Sequence, residues 1–378
     1  MTVTLKGITW NHTRGFDPLA ATAREYAAHH ENVEIQWERR SLQAFADHPL
    51  DELASRYDLL VIDHPHVGFA ARTGCLTPLD TWGRDAELTQ LATESLGASH
   101  SSYAYDGHQW ALSIDAAAQV SAYRADLISR IPQTWAETLE LAKSGRVLWP
   151  LKPIDALSSF ATLAANRGTP LAAKSDQLIE QDAACEVLRA MTELARHVPS
   201  ECLGMNPPET LDWMSREDNS RYAYCPLLYG YSNYARAGYR PRLVKFANLP
   251  ALSENGPCGS QLGGTGLAVS SRSAALEIAV DYAFWVAGAE CQRTLYFQAG
   301  GQPGNAVAWE DAAVNAAASD FFRDTRETLD RAWVRPRYDG WIAFQDRAGI
   351  IVNYCLSGKL AIEKAWEQLE TAYRESRQ

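Results

Sequence analysis

The chain has 378 residues, 46% of them apolar and 21% charged, which is too long for one ordinary core and suggests about two folded domains with no large disordered region. A net charge of −11 with no basic stripe excludes a nucleic-acid backbone as partner, and no apolar stretch is long enough for a membrane span. Seven scattered cysteines (75, 185, 202, 225, 258, 291 and 355) form no C-x-x-C pair and predict reduced thiols rather than a disulfide framework or a zinc site.

In chain order, Leu5 to Trp10 reads as a first strand. Asn11, His12, Thr13 and Arg14 form a loop, and Asp17-Pro18 starts a helix through Leu19, Ala23, Tyr26 and Ala27. Val33 to Trp37 alternates as a strand with one polar face, and 42–56 reads as helical. Leu59-Leu60-Val61-Ile62 lacks polar alternation, the pattern of a central parallel strand covered on both faces. It ends in Asp63-His64-Pro65-His66-Val67-Gly68, where a parallel sheet places ligands; the same residues also fit Asp63 capping a helix 67–73 beside solvated histidines. The order β-α-β-α-β predicts a parallel α/β sheet.

A helix to about residue 94 precedes Asp106-Gly107, a hairpin signal, whose second strand leads through 115–119 and 120–123 toward a second domain. Thr134 with Glu137 has the spacing of a capping box, and Val147-Leu148-Trp149 reads as a short strand. Helices are expected over 158–165, 182–197 and 211–216. The tyrosine-rich 222–234 reads as a half-buried strand or as a stacking platform beside Ser232 and Asn233. A glycine-rich stretch, 256–266, precedes a strand at 267–270 and matches no phosphate-loop pattern. Helices follow at 273–287, 290–298, 321–332, 342–356 and 360–374, with a loop rich in arginine and aromatics at 335–341.

These pieces, in this order, resemble the bacterial extracellular solute-binding proteins of the sugar-binding type, the receptors of ABC transporters. The resemblance rests on Tyr57-Asp-Leu-Leu-Val-Ile-Asp63 with Gly74-Cys-Leu-Thr-Pro-Leu-Asp80, and on Asp106-Gly107 before Trp110-Ala-Leu-Ser113. Pro132-Gln-Thr-Trp135, Gly263-Gly264 before Leu267-Ala-Val269, and Arg335-Pro336 complete it, nearly end to end. It implies an α/β, two-lobe periplasmic-binding-protein-like fold with a hinge and an interlobe ligand cleft. One lobe would hold 1–114 and 265–320, the other, helix-rich, 115–264 and 321–378. Ser113 stands where the family often has proline.

The function so implied is binding of a small polar solute, a sugar or sugar derivative, by an ABC-transporter-type solute-binding protein whose lobes close on a hinge. Aromatics would stack on the ligand, and amides and carboxylates would bond its hydroxyls. The candidate contacts are Asn11, His12, His64, His66, Asp115, Trp149, Tyr229, Tyr231, Asn233, Gly264, Thr265, Gln302, Arg337 and Trp341. Arg335 and Arg337 raise an acidic ligand as the nearest rival. The family normally carries an export signal or lipid-anchoring cysteine, whereas this sequence begins at the first strand. That and the thiol count predict a cytoplasmic location as given, or a periplasmic or cell-surface one with an omitted leader. The alternative is a cytoplasmic enzyme or sensor on the same fold, acting on a sugar acid or small carboxylate with His12, His64, His66 and Asp115 as acid-base groups. H-x-H at 64–66 alone is a weak metal signal, and neither H-E-x-x-H nor G-x-S-x-G occurs. No cofactor or metal is expected, a transporter permease is the expected protein partner, and the chain is expected to be monomeric.

Overall fold

The computed structural model describes residues 2–41, 49–174 and 176–378. Its chain forms two compact units, 1–116 with 263–315 and 337–339, and 117–262 with 316–336 and 340–378. The expected division fell at 114 and 264 and gave the second lobe everything after 320; here 337–339 pack with the first unit.

In the first unit β1 (Val3–Trp10) lies between β2 (Val33–Arg40) and β3 (Leu59–Ile62), parallel to both. The strand order continues from β3 to β9 (Leu262–Val269), which runs antiparallel to it, and then to the start of β6 (Leu112–Tyr123). All four residues of β3 are buried, as an unalternating apolar strand covered on both faces must be. Leu59 and Val61 face a cluster with Leu5, Leu19, Leu267 and Tyr296, while Leu60 and Ile62 face one with Ile8, Val67, Tyr103 and Ala268.

The helix after β1 spans Thr13–His29 and so begins four residues before the position that Asp17-Pro18 suggests. His12 has extended backbone and its side chain accepts the Arg14 N–H, an N-cap that brings Thr13 and Arg14 into the first turn. Pro18 is therefore inside the helix. Residues 42–48 of the expected 42–56 helix lie outside the described residues; Leu50–Ala54 is helical. The Asp106-Gly107 turn forms as expected, joining β4 (Ala104–Tyr105) to β5 (His108–Gln109) with both turn residues at positive φ.

In the second unit β6 pairs with β7 (Tyr224–Tyr229) on one side and β8 (Lys245–Ala247) on the other, both antiparallel. Thr134 and Glu137 form the full capping box of the helix Trp135–Lys143. Val147–Trp149 is not a strand; Val147 makes a single bridge to Tyr224. The helix Pro153–Asn166 is buried along almost its whole length and packs against Trp341–Leu356.

One acid in that buried helix bears on stability. Asp155 is 4% exposed, and burial pushes its carboxyl up to about 8, with Lys152 only partly opposing. A folded-state value above the unfolded one gives stability that is complete below about pH 4 and is lost as pH rises toward 8. Asp155→Asn is expected to flatten this slope and to stabilise the chain at pH 8 by on the order of 3 kcal/mol, because a neutral amide avoids burying the charge. Chemical denaturation of both proteins from pH 5 to 9 checks it; parallel profiles would contradict it.

Candidate functional site

Strand register brings several expected contacts of the first unit to one end of its sheet. Gly7 and Ile8 of β1 sit opposite Leu59 and Leu60, so Asn11 and His12 leave the sheet at the same end as Asp63 and His64. Ile62 pairs with Gly266, which puts Thr265 and Gly264 of β9 beside that turn. Asp115 lies in β6, the next strand. Carboxyl ends of parallel strands collect ligand-contacting loops in open α/β sheets, and this edge carries an amide, two imidazoles and a hydroxyl.

The histidines are not solvated. His64 is fully buried and its ring meets Tyr103 edge-on at 6.2 Å; His66 is 9% exposed, with Nδ1 3.0 Å from the Asp63 carbonyl. Asp63 accepts the His64 N–H at 3.0 Å and so caps the 3-10 turn His64–His66, not the helix Val67–Thr73 itself. The buried Thr265 hydroxyl has no hydrogen-bond partner among the described residues.

Asp115 is held in an ion pair. The Arg14 guanidinium donates through Nε to Oδ2 at 2.7 Å and through Nη2 to Oδ1 at 2.5 Å, with both side chains buried. Burial raises the carboxyl above its ordinary range while Arg14 pulls it down. Both oxygens are thus engaged within the protein, and a ligand hydroxyl would have to share them. Gln302 donates its amide to the Ala116 carbonyl at 2.8 Å. Gly264 has φ +91°, and a Cβ there would lie 2.2 Å from the Asp115 carbonyl oxygen, so only glycine fits. Gly264→Ala is expected to cost about 2 kcal/mol or more from clash and left-handed strain, measurable by urea denaturation; unchanged stability would contradict this packing.

Arg337 is elsewhere in the first unit. Its Nη1 donates to the carbonyls of Ser101, Ser102 and Ala104 at 3.0, 3.2 and 2.6 Å, and its own carbonyl sits where a Cβ of Gly68 would be. It borders an open groove of about 610 Å³ that also takes in Asp80, His100, Tyr105 and His108. This clamp on three carbonyls opposes its expected role as a fork for an acidic ligand. Arg335 belongs to the second unit and donates to Gln345 at 3.2 Å.

In the second unit Tyr229 ends β7 with its hydroxyl accepting from Gln261 Nε2 at 2.7 Å. The same amide donates to Ser158 at 3.0 Å; Thr162 donates to Gln119 at 2.7 Å, and Gln119 reaches Ser159 at 3.4 Å. Tyr231 precedes and Asn233 lies within the following 3-10 turn Ser232–Ala235, and they are 7% and 2% exposed. Trp149 is completely enclosed, donates to Ser159 at 3.2 Å and packs edge-on against Trp135, so it is an interior residue and not a stacking surface. Trp341, 1% exposed, donates to Gln345 and packs at a tilt against Phe344.

Sequence reading missed Arg14, Gln119 and Gln261. A guanidinium at the start of an apolar helix and two amides within or beside apolar strands were the available signals, since such groups need buried partners. Among the described residues no three His, Cys, Asp or Glu side chains are placed to hold a metal ion, and no helix is long and apolar enough to cross a membrane. All seven cysteines are unpaired thiols.

The mixed α/β architecture, with strands running from one unit into the other, is that of the two-lobe periplasmic-binding-protein-like fold. Solved structures match it over nearly the whole chain. The maltose-bound MalE3 of T. maritima superposes with a TM-score of 0.84 at 18% identity, covering 99% of this chain and 100% of that one. The GacH receptor of Streptomyces glaucescens, solved unliganded and with acarbose, gives 0.82 at 17%, covering 100% and 98%. An ABC transporter solute-binding protein of Agrobacterium radiobacter with ribitol gives 0.80 at 17%, covering 99% and 98%. No curated protein sequence matches. Residues 21–321 match the model of the bacterial extracellular solute-binding protein family, and the chain belongs to that family.

Proposed function

We propose that the chain binds a small polar solute, a sugar or sugar alcohol, as the solute-binding protein of an ABC transporter. The observation that carries the reading is the family match across 21–321, joined to neighbours whose solved complexes hold maltose, acarbose, ribitol and tagatose. The residues suit such a solute: Asn11, His12, His64 and Thr265 gather donors and acceptors at one sheet edge of the first unit. Tyr229, Tyr231 and Asn233 gather aromatic and amide groups at the end of β7 in the second. Hydroxyl-rich rings are held by such groups, with aromatic faces against their apolar sides.

The family is extracellular, so the working site proposed is outside the cytoplasm; a cytoplasmic location finds no support. A membrane permease is the partner this role requires. The enzyme alternative is likewise unsupported, and we propose no catalytic residue. His64, its ring buried against Tyr103, is not open to exchange protons with water.

Thermal-shift screening against maltose, ribitol, tagatose, gluconate and citrate tests the reading, since a ligand at 100 times its Kd adds about 2.7 kcal/mol. A shift with a neutral sugar or polyol is expected, and a shift only with acids would contradict it. With the solute found, Asn11→Ala and Tyr229→Ala should each weaken binding roughly tenfold by calorimetry, the loss of about one good hydrogen bond or stacking contact. Arg337→Ala should lower Tm yet leave affinity within about twofold, because its Nη1 is committed to three backbone carbonyls of the first unit. Selective loss of acid binding in Arg337→Ala would restore the acidic-ligand reading.

A further inference from the structure

The point where β6 leaves the first unit is held from three directions. Asp115 and Ala116 are the last residues of that strand in the first unit, and Ala117 is the first in the second. Arg14 grips the Asp115 carboxylate, Gly264 presses its backbone on the Asp115 carbonyl, and Gln302 bonds the Ala116 carbonyl while Pro303 bridges to Asp115. A chain segment so tied has little freedom to shift without moving Arg14.

Arg14 is also tied to the loop after β1. His12 caps the helix through the Arg14 N–H at 3.0 Å, so the imidazole and the Arg14 backbone share one geometry. A buried ion pair is seldom an asset for stability alone, because desolvation offsets the attraction and an apolar pair of similar size often does as well. What the bidentate fork supplies is direction: two parallel bonds fix both the distance and the tilt of the carboxylate.

We propose that Arg14 is a positioning residue that couples the Asn11–His12 loop to the exit of β6, so that a solute touching the loop changes the constraint on the strand entering the second unit. The relay runs from His12 to the first helical turn, through the guanidinium to Asp115, and into the backbone of Ala116 and Ala117. It deepens the solute-binding reading, which alone makes Asn11 and His12 solute contacts. The coupling itself is present without any solute.

Hydrogen exchange with mass spectrometry on the solute-free full chain tests it. Arg14→Gln should raise exchange of the amides of 115–117 about tenfold or more, with those of the interior helix Pro153–Asn166 unchanged. His12→Ala should also raise exchange at 115–117, and should add nothing in the Arg14→Gln background. Arg14→Lys, which keeps the charge without the fork, should fall between wild type and Arg14→Gln. If Arg14→Gln does not fold, Asp115→Asn supplies the same comparison. A purely local ion pair predicts instead that His12→Ala leaves 115–117 at wild-type rates, or that the two substitutions add, and either result overturns the proposal. Absence of any saccharide-induced thermal shift in the unmodified chain would remove the sugar reading while these exchange rates still decide the coupling.

Discussion

Much of this structure follows from one twelve-residue strand. Every residue of β6 is buried, yet the strand carries Ser113, Asp115, Gln119 and Ser121 along its course, of which Ser113 alone has a hydroxyl without a hydrogen-bond partner among the described residues. Buried polar groups must find partners or the fold pays a desolvation cost of about 1–3 kcal/mol each. Arg14 answers Asp115, Ser159 and Thr162 answer Gln119, and the carbonyls of Ala247 and Asn248 answer Ser121. These partners come from a helix start, an interior helix and the end of β8. The strand thereby fixes the placement of elements far apart in sequence, in the first unit on one side of Ala116 and in the second beyond it.

Local structure was legible wherever a residue type has one physical use. The unalternating Leu59–Ile62 could only be a covered strand, Asp106-Gly107 a tight hairpin, and Thr134 with Glu137 a capping box. The family was legible too, because the order of these signals is specific even though each is weak. Boundaries failed where a side chain acted against its usual preference. His12 is an uncommon N-cap, so Pro18 looked like a helix start when it is in fact interior. Val147–Trp149 has the composition of a strand, but its backbone finds only one bridge.

The candidate site was only partly legible, for a related reason. Residue type announces what a side chain can bond and not what already bonds it. Asn11, His12 and His64 could be placed together because strand ends and parallel register are predictable, whereas Thr265 joins them only through the antiparallel pairing of β9. Arg337 and Asp115 carry the right chemistry for a ligand, yet carbonyls 235 and 233 residues earlier in the chain take the first, and a guanidinium 101 residues earlier takes the second. Trp149 and Trp341 are aromatic and polar-tipped as a sugar platform requires, but both are in the interior of the second unit with their indole N–H groups satisfied. No sequence pattern distinguishes a tryptophan that packs from one that stacks on a solute.

The proposed role requires that this chain hold one small neutral saccharide or polyol and return it unchanged. Native mass spectrometry of the chain incubated with a mixture of maltose, ribitol, tagatose and small acids, followed by release and re-weighing of the solute, tests it most directly. The predicted result is a single adduct of one neutral saccharide or polyol per chain, recovered at its original mass. Adducts with acids only, or recovery of a chemically altered solute, would contradict it.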